Sequence, residues 1–373
     1  MFVMQRVFLL LSALLALYVS SFARATDEPP VSADEEPAPH IALLLPLESA
    51  IFGSAAEAVQ QGFQAAAGPE TPARPEALPV RVYGCSDERA DIVALYRQAI
   101  AGGARAVVGP LTRSGATTLA AEPDIPVPTL ALNAVEDPLA GQLYFFGMAA
   151  EAEARQVAQL AGQQGLRQAI VIATRAQLDK RLQSAFEEEW RSLGGATLRG
   201  VEFNGDPAVL SDISAMSDAA VFLAVDAGTA RLIRPYLPNK LPVYATSQIF
   251  AGNGDSLTNY DLDGIRFVDM PWLLQADHPA VMAYPRADPP LSASHERLYA
   301  LGVDAFRLIQ LMLAGQVDAA LPLDGVSGQI QLRGHTFQRA AIQAIFAQGS
   351  AQLPDAPAAP TPQMFPGQAA GKP

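Results

Sequence analysis

A single cysteine, Cys85, stands in 373 residues, so no disulfide can form within the chain and the fold must rest on a buried apolar core. Histidine is nearly as scarce. His40, His278, His295 and His335 are scattered, match no HExxH or other metal-ligand spacing, and read as surface or capping residues. Neither a metal nor another cofactor is expected. No serine occupies a G-x-S-x-G elbow, since Gly325-Val326-Ser327-Gly328 has the wrong spacing. Gly252-Asn253-Gly254-Asp255 lacks the lysine and helix start of a phosphate loop and reads as a turn. Asp261 with Asp263 shape a turn before Gly264, and Glu187-Glu188-Glu189 lie on a solvated helix face opposite Leu182 and Phe186. With no nucleophile, acid–base pair or metal set on offer, the chain reads as a non-enzyme. Positive charge is also short. The 25 basic residues face 38 acidic ones, which argues against nucleic acid or an anionic membrane surface as partner.

Long apolar runs are absent except at the start. Arg6 precedes the run Val7 to Val19, and Ala23-Arg24-Ala25 supplies a cleavage site, so residues 1–25 read as a signal peptide cut after Ala25. Export to the periplasm follows, with association with the cell envelope open. No cysteine sits at the cleavage point, so no lipid anchor is expected. Residues 26–39, acidic and rich in proline, read as a disordered linker, and residues 350–373 as a disordered Ala/Pro/Gly/Gln tail. Cys85, after the strand-like Val80-Arg81-Val82-Tyr83, reads as a small buried residue.

Between linker and tail, half-apolar composition and length suggest about two domains. His40 to Leu45 is a continuous apolar run, the pattern of a strand buried on both faces. Ser54 with Glu57 forms a capping box for a helix over 55–67. Strands at 78–83, 104–108 and 127–132 alternate with helices at 87–101 and 114–121. After Tyr144-Phe145-Phe146 the pattern begins again: helices at 150–164, 177–193 and 228–236, strands at 168–173, 197–203, 219–225 and 241–245. Leu178, Leu182, Phe186 and Trp190 form one apolar stripe, and Leu298, Leu301, Ala305, Leu308, Ile309 and Met312 mark a long amphipathic helix. Residues 317–346 suggest a small antiparallel ending. The fold class is α/β, two lobes each built on a mostly parallel sheet flanked by helices. Residues 40–146 with 247–316 are expected to form lobe 1, and 147–246 with 317–349 lobe 2.

Open α/β sheets bind ligands beyond the carboxyl ends of their strands. The polar or turn residues that follow the expected strands are Ser49 and Ala50, Pro110, Leu111 and Thr112, Asn133, Thr174, Asp226, and Thr246, Ser247 and Gln248. As a set they would line a cleft between the lobes, where a small molecule could bind. Asp269-Met270-Pro271-Trp272 is expected to fix a crossing between the lobes, with Tyr144 and Trp272 in the core.

Several phrases carry a family likeness: IALLLPLESAIFGSAAEAVQQGF near Ile41, AVVGPLTRSG near Ala106, RLQSAFEEEWRSLGGATL near Arg181, LPVYATSQIF near Leu241, DLDGIRFVDMPWLL near Asp261, LYALGVDAFRL near Leu298 and LDGVSGQIQL near Leu323. Their wording resembles the C-terminal domain of the penicillin-binding-protein activator family (LpoA or LppC), a type I periplasmic-binding-protein fold. The likeness runs from about Ile41 to Gly349. It implies a non-catalytic regulator that stimulates a peptidoglycan synthase, a class A penicillin-binding protein, by protein contact. Two departures accompany it: no lipobox cysteine, and an acidic linker in place of a helical-repeat domain. The same fold also serves a second reading, a soluble solute-binding protein carrying an amino-acid- or amide-like ligand to an ABC transporter.

Overall fold

The computed structural model describes residues 37–68, 78–135, 141–215, 219–253 and 256–354. The expected signal peptide, nearly all of the acidic linker and the tail beyond 354 lie outside the described residues. Everything below belongs to the unit Pro39–Pro373.

Two sheets organise it. The first holds β1 (His40–Leu45), β2 (Val80–Gly84), β3 (Ala104–Val108), β4 (Thr129–Ala131) and β5 (Leu143–Phe146), with β11 (Leu323–Asp324), β12 (Gln329–Arg333) and β13 (Thr336–Ala340). The second holds β6 (Gln168–Ala173), β7 (Thr197–Glu202), β8 (Ala219–Ala224), β9 (Val243–Ala245) and β10 (Ile265–Asp269), with β14 (Ile342–Ala347) and β15 (Ser350–Gln352). Their orders are β11-β12-β13-β5-β4-β3-β1-β2 and β15-β14-β10-β9-β8-β6-β7. Each begins as a parallel five-stranded unit of the same order, β2-β1-β3-β4-β5 and β7-β6-β8-β9-β10. Strands from the end of the chain then extend both sheets, β13 parallel to β5 and β14 antiparallel to β10.

The buried strands explain the layering. Every residue of β1 and of β8 is buried, as expected where helices cover both faces of a parallel sheet. In β1 the period of two sends Ile41, Leu43 and Leu45 to one core and Ala42 and Leu44 to the other. The first core is covered by α1 (Gly53–Ala67) and α7 (Ala293–Leu313), the second by α2 (Glu88–Ala101) and α3 (Arg113–Ala120). In the second sheet α4 (Ala150–Gln163) and α5 (Gln177–Ser192) cover the face of Ala169, Val171 and Ala173. The stripe on α5 is seated as its spacing predicts, with Phe186 stacked on Trp190 and on Phe222. α6 (Ala227–Ile233) and the turns after it cover the opposite face.

Several expectations are corrected. β10 belongs to the second sheet and β11, β12 and β13 to the first, so lobe membership changes after Asp269 and again at Ala341 rather than at 247 and 317. The ending is therefore shared between the sheets, because the hairpin β12–β13 has a free edge at β5 to extend. Residues 350–352 form β15 rather than the start of a tail. Helix α1 begins at Gly53 behind Phe52, with no side-chain cap, so Ser54 and Glu57 form no capping box. His40 is fully buried, its Nε2 2.9 Å from the Tyr83 hydroxyl, because it opens β1, a strand buried along its whole length, instead of facing solvent. His278 and His295 do lie at helix starts.

α1 and α7 approach closely enough to exclude side chains at the contact. A Cβ on Gly62 would overlap the Tyr299 carbonyl oxygen, and one on Gly302 the Val59 carbonyl oxygen. Gly302→Ala should cost about 3 kcal/mol or more, since only backbone movement can relieve the overlap. A clear drop in Tm is the expected reading, and an unchanged Tm contradicts it. Cys85 is buried with its thiol aimed at the Leu45 carbonyl. Burial foremost, then the negative charges of Glu88, Asp91, Glu48 and Asp87, push that thiol up to about 12. The native protein at pH 8 should therefore react with a thiol reagent at least about 100-fold slower than free cysteine, with one thiol released on denaturation.

Candidate functional site

The order 2-1-3-4-5 reverses direction between β1 and β3, and again between β6 and β8, and such switch points are where doubly wound sheets place ligands. The loops in question hold Ser49 and Ala50, Pro110 to Thr112, Thr174, and Asp226. What their polar groups do is specific. Glu88, at the start of α2, is buried and accepts from Leu111 N at 2.8 Å and from Thr112 N at 2.6 Å. Burial pushes its carboxyl above the usual carboxylate range, only partly offset by the donors from Thr112 and Leu111. An internal carboxylate thus takes two backbone donors at the amino end of α3, which an anionic ligand would otherwise use. Thr112 Oγ1 accepts from Gly115 N. Asn133 donates to the Leu111 carbonyl and accepts from Ala134 N, joining the loops after β3 and β4. Pro110 accepts from Leu132 N in the same place.

In the second lobe Thr174 gives both N–H and Oγ1–H to Asp179 Oδ2, at 3.3 and 2.6 Å. Asp226 caps α6 by accepting from Thr229 N at 2.7 Å. Ser49 Oγ accepts from Phe52 N, and Ala50 is exposed. These bonds run within each lobe. The sequence-predicted residues are therefore at strand ends as expected, but most of their polar groups are spent on capping and loop closure.

Thr246, Ser247 and Gln248 behave differently. Thr246 and Ser247 are buried while Gln248 is exposed. Ser247 sits in the centre of a polar ring that joins the lobes. Its N–H donates to Glu153 Oε2 at 3.0 Å, and its carbonyl accepts from Arg297 Nη2 at 3.0 Å. Arg297 also donates to the Phe250 carbonyl and to both oxygens of Asp269, at 2.9 and 2.6 Å. Arg339, on β13, donates to Glu153 Oε1 at 2.6 Å. Arg297 and Arg339 come from elements of the first lobe, and Glu153 and Asp269 from the second. Gln156 completes the set where β13 passes into β14, its amide N–H donating to the Ala341 carbonyl and its amide oxygen accepting from Ala341 N. All three chain crossings are thus tied: before α4, after β10, and at Ala341.

Electrostatics favour the ionised pair at its centre. Burial pushes Asp269 above its ordinary range, and Arg297 pulls it back. Burial alone would lower Arg297, but its hydrogen bonds and attraction to Asp269 raise it. Both shifts are upward, which favours a neutral Asp269 but a charged Arg297, and geometry decides: three N–H donors converge on Asp269, two of them from a guanidinium that does not deprotonate. Nearby, buried Asp304 accepts from Val326 N, from Ser327 N and Oγ, and from Arg307. Trp272 is fully buried, and its indole N–H donates to Glu296. The expectation that Asp269 to Trp272 fixes a crossing therefore holds in detail.

Sequence reasoning missed Glu88, Glu153, Arg297, Asp304 and Arg339. A signal existed for some of them. Arg297, Leu301, Asp304 and Leu308 recur at helical spacing, so two charges lie on an otherwise apolar stripe. Glu153 precedes Val157 and Ala161 in the same manner, and Arg339 shares its strand face with buried Phe337. A charge on a core-facing stripe needs a partner.

Two parallel-core sheets with three tied crossings define the class, a two-lobed type I periplasmic-binding-protein-like fold. Two solved structures match it at high coverage. One, described as a putative branched-chain amino acid ABC transporter from Chromobacterium violaceum, is 37% identical with a TM-score of 0.71, covering 83% of this chain and 100% of that one. The other, the LpoA C-domain from Haemophilus influenzae, described as a regulator of PBP1A, is 25% identical with a TM-score of 0.70, covering 84% of this chain and 99% of that domain. The family described as LppC putative lipoprotein matches residues 33–216 and 211–340, and the chain belongs to that family. Among curated relatives, penicillin-binding protein activator LpoA of Haemophilus influenzae is 28% identical over 284 residues, 72% of this chain and 47% of that protein. The chain spans about half the length of the curated relatives it matches.

Removing one partner from a buried ion pair strands the other charge, which costs about 3–5 kcal/mol. Arg297→Ala should accordingly lower the urea midpoint by far more than Arg175→Ala, whose pair with Glu202 is exposed. Equal, small effects would contradict the role given to the ring.

Proposed function

We propose that the protein is a non-catalytic periplasmic regulator that activates a peptidoglycan synthase, a class A penicillin-binding protein, by direct contact. The observation that carries this reading is the match to the isolated LpoA C-domain over nearly its whole length, a domain described as a regulator of PBP1A. The loop chemistry supports it. Donors at the switch points that would greet a small anionic ligand are engaged by Glu88 and Asp179. Among the described residues no cluster of three or more His, Cys, Asp or Glu side chains could hold a metal, and no helix is long and apolar enough to cross a membrane.

A second reading has one specific observation in its favour, the 37% identity to the Chromobacterium violaceum protein described as a putative branched-chain amino acid ABC transporter. Under it, Ser49, Pro110 to Thr112, Asn133, Thr174, Asp226 and Thr246 to Gln248 line a cleft for an amino-acid- or amide-like molecule.

One pair of measurements separates the two. The purified protein, added to its cognate class A synthase, should raise glycan-strand polymerisation several-fold and co-purify with the synthase. Absence of both effects sinks the proposal. In a thermal-shift screen of amino acids, amides and muropeptides, a true ligand at 100 times its Kd adds about 2.7 kcal/mol, and the expected response is flat.

A further inference from the structure

Among the described residues, exposed large apolar side chains are few, and two of them are consecutive. Ile51 is 80% and Phe52 44% exposed, in the loop between β1 and α1. That loop is tightly built. Ser49 N–H donates to the Pro46 carbonyl, Glu48 N–H to the Cys85 carbonyl, and Gly53 N–H to the Ser49 carbonyl. Ser49 Oγ accepts from Phe52 N at 3.3 Å. Ser49, a candidate ligand residue by sequence, holds the loop tip through its hydroxyl and its carbonyl. The tip is thus an ordered apolar projection.

Local stability argues against these residue types here. Phe52 occupies the N-cap position of α1, where a serine, threonine, aspartate or asparagine would satisfy an orphan N–H, and no side chain caps this helix. Both residues also expose apolar surface to solvent. A sequence that breaks two local rules at adjacent positions, without a gain inside the fold, marks a place selected for something outside it.

The surroundings give the chemistry of the occupant. The segment 84–91 packs beneath the loop, through the bonds between Glu48 and Cys85 and between Cys85 and Leu45. On segments 46–57 and 84–91 the charged residues are Glu48, Glu57, Asp87, Glu88 and Asp91 against Arg89. Four of those carboxylates, Glu88, Asp91, Glu48 and Asp87, lie near enough to the buried Cys85 thiol to act on it, and so gather around the base of the loop.

The geometry points to the tip Ile51–Phe52, with its carboxylate rim of Glu48, Asp87 and Asp91, as a docking site for a basic protein surface that holds an apolar pocket ringed by lysine or arginine. The inference rests on the regulator reading above and names where its partner sits. Apolar anchors inside a charged rim are a usual build for interfaces, the anchors setting affinity and the rim setting approach.

The test uses the full chain and its cognate class A synthase, with the double variant Ile51→Ser, Phe52→Asp and a rim variant Glu48→Gln, Asp87→Asn. The tip variant should keep or raise Tm, because Asp is a good N-cap, yet weaken synthase binding by at least about tenfold. The rim variant should bind with a shallower salt dependence than wild type. Wild-type affinity from the tip variant overturns this site while leaving the regulator reading intact. No binding by the wild type overturns both. A tip variant that loses binding together with a large fall in Tm also counts against the site, since the loss would then reflect the fold.

Discussion

Two arginines of one lobe grip two carboxylates of the other, and the shape of the molecule depends on that grip. Arg297 with Asp269 and Arg339 with Glu153 are buried at the place where the chain passes between the sheets. Neither pair is an efficient source of net stability, because ions withdrawn from water give up hydration that their attraction only partly returns. What they supply is definition. Ser247 offers its N–H to one pair and its carbonyl to the other, so a shift of either lobe disturbs both. Apolar residues of the same volume would pack at many angles, whereas the fork of a guanidinium on a carboxylate accepts few.

The same economy governs the strand-end loops. A binding protein leaves donors and acceptors at its switch points for the ligand to complete. Here Glu88 and Asp179 complete them from within the chain. The topology that creates such sites is kept, and at these two positions the loop donors meet side chains of the same lobe. That is the difference between a fold and a function, and only the side chains reveal it.

Much of this architecture is legible in the sequence. Apolar runs such as Ala219 to Ala224 and the stripe from Leu178 to Trp190 announce elements whose period matches their burial. The parallel order follows from the alternation itself. Lobe membership of the last third is not legible, because nothing in the strings of β10 and β13 names their neighbours and only the crossings decide their sheets. The start of α1 is not legible from a local rule, since Ser54 and Glu57 have the spacing of a capping box while the helix already begins at Gly53. The strand-end positions follow from the strands before them, but the partners of their polar groups lie five residues away, as Asp179 from Thr174, twenty-four, as Glu88 from Thr112, or ninety-four, as Glu153 from Ser247, and pattern reading has no access to such pairings. Arg297 and Asp304 could have been flagged as charges on an apolar stripe, though not matched to Asp269 and Ser327.

The late strands have a further consequence for how the chain matures. β11 to β13 finish the first sheet and β14 with β15 the second, so the stretch from 323 to 352 contributes to both lobes. A ribosome releases this stretch after all the strands it completes. Until then each sheet ends in an open edge, at β5 and at β10, and an open edge invites pairing with the wrong strand. Closing both edges requires contacts with residues far back in the sequence, which is slow chemistry for a folding chain. Loss of the stretch 323–352 would therefore injure two lobes at once, because it finishes an edge of both sheets.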